Sequence, residues 1–209
     1  MPETRVSLQD NLRWFFPTPV VAQPWPGSEE VNAALRELIL RTEAEANPDI
    51  PNVIGGWATT KDFLAWDFDC VRELREHLRI VVSEVVRGTS QIQEVPNKHL
   101  GFEAWANVLH SGGYHRPHTH DNSFWSGVYY VSTGRPTGDQ PQNGFLELFD
   151  PRSGAGAIRL PGSTYQHSCP IEPQAGLTVM FPGWIRHMVH PYHGEGERIS
   201  VAFNLIRTG

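Results

Sequence analysis

Three histidines and one arginine carry most of the chemistry in this 209-residue sequence. In Tyr114-His115-Arg116-Pro117-His118-Thr119-His120, the histidines at 118 and 120 stand two apart. In extended chain that spacing puts both imidazoles on one face, where they can grip a single ion, and leaves His115 pointing elsewhere. Such a pair also occurs on ordinary surface loops, so it needs a third ligand to mean more. His187 offers one, at the end of Phe181-Pro182-Gly183-Trp184-Ile185-Arg186-His187, a Pro-Gly turn between two predicted strands. His110, His167, His190 and His193 compete for that role.

The short interval from His187 to Arg198 favours His187. An ion held by neutral imidazoles stays strongly positive. A dicarboxylate that chelates it at one end needs a charge-matched, bidentate receptor at the other, which an arginine beside a serine hydroxyl supplies. Arg198 and Ser200 share a strand face with Asn204, while Ile199, Val201, Phe203 and Leu205 take the other. The competing view leaves this polar face in solvent.

These residues need elements to hold them. Ser28 is placed to cap a helix whose Val31, Leu35 and Leu38 fall on one stripe, ending at Asn47-Pro48. A second helix is expected near residues 70 to 87, with Val71, Leu74, Leu78, Val81 and Val85 on one face and Gly88 as its stop signal. Before and between them lie an extended Trp14-Phe15-Phe16-Pro17-Thr18-Pro19 segment and a loop containing Gly55-Gly56-Trp57. From Leu100 onward, short apolar runs bounded by turn residues read as strands: Phe102 to Leu109, Trp125 to Val131, Gly144 to Phe149, Ala157 to Leu160, Leu177 to Phe181 and Ile199 to Ile206. Many strands without helical interruption imply a sandwich or barrel, with the helices covering a sheet. Thr133 to Asn143, rich in Gly, Pro, Asp and Gln, is the candidate mobile loop.

Composition narrows the partners. The length suits one domain, residues 1 to 98 as helical support and 99 to 209 as the β core carrying the metal site. A net charge of -6 argues against nucleic acid and anionic membrane surfaces, both of which select a basic face. A small-molecule or protein substrate is expected, and association into a homodimer stays open. No signal-like or membrane-spanning apolar run is seen, so a cytoplasmic protein is expected. Cys70 and Cys169 are too few for a disulfide framework or a thiolate zinc site and are read as free thiols.

The order H-x-H, distal His, then R-x-S resembles the iron(II)/2-oxoglutarate-dependent dioxygenases, more narrowly a bacterial subgroup of them. The resemblance rests on His118-Thr119-His120-Asp121-Asn122-Ser123, Ser126-Gly127-Val128-Tyr129-Tyr130, Phe181-Pro182-Gly183-Trp184-Ile185-Arg186-His187 and Arg198-Ile199-Ser200-Val201-Ala202-Phe203-Asn204. Phe16-Pro17-Thr18-Pro19 and Gly55-Gly56-Trp57 extend it into the N-terminal half. It implies an α+β, mainly β fold, a double-stranded β-helix or jelly roll whose open mouth holds iron(II), with 2-oxoglutarate as cosubstrate. It also implies that Tyr130 bonds the distal carboxylate beside Arg198 and Ser200, and that Asn107 helps hold the cosubstrate. Only one of Tyr129 and Tyr130 can look inward. Trp105 is expected in the core or the pocket wall.

One departure matters chemically. The superfamily's usual triad is H-x-D plus a distal His, whereas here His120 stands at the acid position. Three imidazoles, His118, His120 and His187, leave iron more positive and would suit zinc as well. Completion of the shell by Asn122 or the Asp121 carboxylate after local distortion stays open, and Glu147 is a further carboxylate. The expected activity is hydroxylation of a C–H bond coupled to decarboxylation of 2-oxoglutarate. The alternatives are a three-histidine cupin-type dioxygenase that needs no 2-oxoglutarate, and a non-enzymatic jelly roll that binds metal and oxoacid.

Overall fold

Both expected helices form in the computed structural model, which describes residues 16–46, 53–90, 100–154 and 167–207. Helix α1 spans Glu29–Glu45 and buries Leu35, Leu38 and Ile39. Ser28 precedes it without capping by its side chain; its hydroxyl instead accepts from Asn32 Nδ2 at 3.3 Å. Asn32 interrupts the apolar stripe because its Oδ1 accepts the Tyr129 hydroxyl at 2.7 Å, a polar link between helix and sheet. Asn47-Pro48 and Trp14-Phe15 lie outside the described residues. Helix α2, Asp69–Thr89, buries Val71, Leu74, Leu78, Val81 and Val85 as the periodicity requires. Gly88 does not stop it. The helix runs one residue further, where the Thr89 and Ser90 hydroxyls donate to the terminal carbonyls of Val85 and Val86.

Among the described residues nine strands make one antiparallel sheet: β1 Val21–Pro24, β2 Val53–Ala58, β3 Leu100–His118, β4 Ser123–Pro136, β5 Leu146–Phe149, β6 Ser168–Ile171, β7 Leu177–Pro182, β8 His187–Val189 and β9 Gly194–Arg207. Their order is β1-β7-β4-β9-β3-β8-β5-β6, with β2 also paired to β3. Residues of seven of these strands line one cavity, so the sheet must curl around it.

The two faces divide the labour. Ile199, Val201, Phe203 and Leu205 of β9 pack with Ala104, Ala106 and Val108 of β3 against α1 and α2. The opposite face carries Arg198, Ser200 and Asn204, buried to 1%, 2% and 4% exposure, so the polar face of β9 looks into the curled sheet and not into solvent.

Several expectations need correction. Gly55-Gly56-Trp57 is strand β2 and not a loop; a Cβ on Gly56 would lie 2.3 Å from the Val108 carbonyl oxygen, so glycine lets this strand approach β3. The Thr133 to Asn143 stretch begins as strand, since β4 runs to Pro136. It ends anchored: Asn143 Nδ2 donates to Thr137 O and His193 O, and its Oδ1 accepts from His193 N. The short strands β1, β6 and β8 were not anticipated, and Ala157 to Leu160 lies outside the described residues.

Candidate functional site

Cross-strand register brings the histidines together. His118 closes β3 directly opposite His187, which opens β8 just past the Pro182-Gly183 turn rather than within it. His120 follows β3, its backbone N–H donating to Gly183 O at 3.1 Å and so tying the H-x-H segment to that turn. The ring centroids lie 4.3 Å apart for 118–187 and 5.0 Å for 118–120 and 120–187. One ring nitrogen from each lies within 4.8 Å of the others, an arrangement that could hold a metal ion. Neither carboxylate considered from sequence joins them. Asp121 is exposed and accepts from Thr119, while Glu147 pairs with His190 at 2.8 Å.

Hydrogen bonding sets the ligand atoms. His118 Nδ1 lies 2.6 Å from Arg116 O and His187 Nδ1 2.9 Å from Ile185 O. A carbonyl only accepts, so both Nδ1 atoms carry the proton and both Nε2 lone pairs are left for an ion. His120 Nδ1 lies 3.4 Å from Nδ2 of the Asn204 amide, whose Oδ1 accepts the Ser126 hydroxyl at 2.9 Å. Asn204 can meet Nδ1 with either end of that amide; its carbonyl there would give His120 the same tautomer as the other two. Burial pushes the His187 ring down to about 3 and the His120 ring to about 4, and lowers that of His118, so the cluster is neutral.

A cavity of about 500 Å³ extends from the histidines to Arg198 and includes all seven residues singled out as site residues from sequence: Asn107, His118, His120, Tyr130, His187, Arg198 and Ser200. Arg198 Nε donates to Gly144 O at 2.9 Å. Its two terminal nitrogens, Nη1 and Nη2, are buried with no hydrogen-bond partner among the described residues, as are the Tyr130 hydroxyl and Asn107 Oδ1. The guanidinium carbon stands 5.1 Å from the Tyr130 ring centroid. Burial raises the Tyr130 pKa, so the phenol stays a donor. Tyr129 faces the helices, as alternation demands. Trp105 lines the cavity wall, its ring 5.7 Å from that of His120.

His115 was expected to point away, and it does not. It lines the same cavity, with its Nε2 buried and unpartnered among the described residues. The cause is a β-bulge. His115 pairs with Val189 and His118 with His187, three residues of β3 against two of β8, so residues an odd number apart recover the same face. Pro117, inside the bulged segment, is the one residue type that signals it, since a proline within a strand sits at an edge or a bulge.

Residues 103–204 match the profile of a family described as "Putative 2OG-Fe(II) oxygenase". The fold is similar to that of a Pseudomonas putida prolyl-4-hydroxylase (20% identity, TM-score 0.64, 91% of this chain and 93% of that one). It is also similar to HygX from Streptomyces hygroscopicus, solved with nickel and 2-oxoglutarate bound (13% identity, TM-score 0.62, 91% and 84%). A third likeness is to a Trichoplax adhaerens prolyl hydroxylase in complex with a hypoxia inducible factor peptide fragment (13%, 0.61, 90% and 83%). These likenesses establish the jelly-roll fold. No curated protein matches the chain in sequence.

Proposed function

We propose, from the match of residues 103–204 to the 2OG-Fe(II) oxygenases, that the chain hydroxylates a C–H bond of a small-molecule or peptide substrate while 2-oxoglutarate and dioxygen yield succinate and carbon dioxide. One observation carries the reading. A guanidinium 1% exposed, with two unpartnered nitrogens, faces the same cavity as three neutral imidazoles. An uncompensated buried cation costs several kcal/mol, so Arg198 calls for an anion, and the imidazoles call for a cation. A chelating dicarboxylate between an ion and Arg198 answers both, and the donor set therefore fits the cofactors of the family.

In this reading His118, His120 and His187 hold iron(II) through Nε2. A bound iron(II) would supply open coordination positions for the oxoacid and dioxygen, and the electrons that activate oxygen. Arg198 receives the distal carboxylate bidentately, and Tyr130 and Ser200 bond it from β4 and β9. Asn107, opposite Ser200 in the register, offers an amide to the same ligand. Phe181, Val189 and Leu146 give the cavity apolar walls that keep water from the reacting carbon. The α1 and α2 half acts as one unit with the sheet, holding β9 rigid from behind. No helix of the described residues is long and apolar enough to cross a membrane. A cytoplasmic location is in keeping with two free cysteines, one of them exposed.

Two variants separate the roles. His187→Ala abolishes iron(II) retention, and Arg198→Ala weakens 2-oxoglutarate binding at least about a hundredfold while sparing iron. Equilibrium dialysis for iron and succinate formation for turnover read both. Equal loss of iron in the two variants, or oxygen consumption by the wild type without succinate, would count against the assignment and favour a three-histidine dioxygenase that does not use 2-oxoglutarate.

A further inference from the structure

We propose that His115 is a further donor to the distal carboxylate of the oxoacid, added to the receptor of Arg198, Tyr130 and Ser200; the inference rests on the function proposed above. Arg198 Nη1 and Nη2, the Tyr130 hydroxyl and His115 Nε2 are buried in the lining of one cavity and lack hydrogen-bond partners among the described residues. In its Nε2–H tautomer the His115 ring is a donor to a carboxylate there.

The register links His115 to the segment that anchors Arg198. It stands opposite Val189 of β8, which stands opposite Leu146 of β5. Two residues before Leu146 is Gly144, whose carbonyl holds Arg198 Nε. The row of His115 thus ends two residues from the Arg198 anchor. Leu109, earlier on β3, is the register partner of Arg198 itself. The buried Arg198 charge acts on the His115 ring, second only to burial in holding it uncharged, which agrees with their closeness.

The opposite assignment, His115 as a metal ligand, does not suit the geometry. Its ring centroid lies 6.4 Å from that of His118, and it stands outside the group of mutually close ring nitrogens. A neutral imidazole donating Nε2–H adds direction without adding a second charge beside Arg198. The β3 bulge is what aims it there.

The test is anaerobic calorimetry on the iron(II)-loaded protein, titrating 2-oxoglutarate and, separately, 2-oxobutanoate, which keeps the chelating oxoacid and lacks the distal carboxylate. Wild type, His115→Gln and His115→Phe are compared after circular dichroism establishes that each is folded. The expected result is a loss of about tenfold in 2-oxoglutarate affinity for His115→Phe and a smaller loss for His115→Gln, which keeps a donor. Affinity for 2-oxobutanoate and retention of iron should stay within about twofold of wild type. Equal weakening of both oxoacids, no change in either, or loss of iron overturns the assignment of His115 alone. Failure of the wild type to bind 2-oxoglutarate overturns it together with the function on which it rests.

Discussion

Arg198 was the most legible residue of the site and the one whose surroundings say most. Alternation along β9 placed it on a face with Ser200 and Asn204, and all three are buried. Its charge match to a chelated dicarboxylate follows from residue type alone. What residue types could not give was the hydrogen bonding around the imidazoles. Asn204 was on the right face but without a role until its amide came to lie 3.4 Å from His120 Nδ1. Groups that orient a ligating histidine are worth about 10- to 100-fold in metal affinity. Asn204→Leu should therefore weaken iron(II) binding by at least about tenfold in competition with a chelating dye. Asn204→Asp, which can only accept and so fixes the Nδ1–H tautomer, should hold affinity at or above wild type. The reverse order would mean that Asn204 donates to His120 and that His120 is not an Nε2 ligand.

Elements were legible where periodicity is long and hidden where backbone irregularity decides. The stripe of α2 and the alternation of β9 could be read directly because each runs through many residues. Strand β8, three residues long, and the bulge opposite it leave no such pattern, which is why His115 was assigned to the wrong side. Strand β2 was mistaken for a loop for the same reason: Gly55-Gly56 carries the composition of a turn, yet Gly56 pairs with Leu109. A side chain there meets the Val108 backbone carbonyl, which cannot swing aside. Gly56→Val should part β2 from β3 and destabilise the protein by about 1–3 kcal/mol, read by urea denaturation. The same loss should accompany raised amide exchange in β3 near Val108. Unchanged stability would show that β2 contributes little to the curled sheet.

At the scale of the molecule, the chain encloses neutral imidazoles at one end of a cavity and a buried cation at the other. This has a consequence for pH. The His187 ring takes a proton near 6.5 when unfolded and only near about 3 when folded. Between those values the unfolded chain binds more protons, so stability of the metal-free protein falls as pH drops from 6.5 toward 3, with a slope of about 1.4 kcal/mol per pH unit from this residue. Above pH 6.5 the contribution is flat. Denaturation curves at pH 7.5, 6.5, 5.5 and 4.5 should show that break, and His187→Gln should have a shallower slope below it. The central claim, that the two ends grip one oxoacid through iron, is tested most directly by anaerobic titration of the iron(II)-loaded protein with 2-oxoglutarate, watching the visible metal-to-ligand charge-transfer absorption. The account predicts a saturable band in the wild type that needs far more 2-oxoglutarate to appear in Arg198→Ala. Iron demonstrably bound, with no band at any concentration of 2-oxoglutarate, would contradict it.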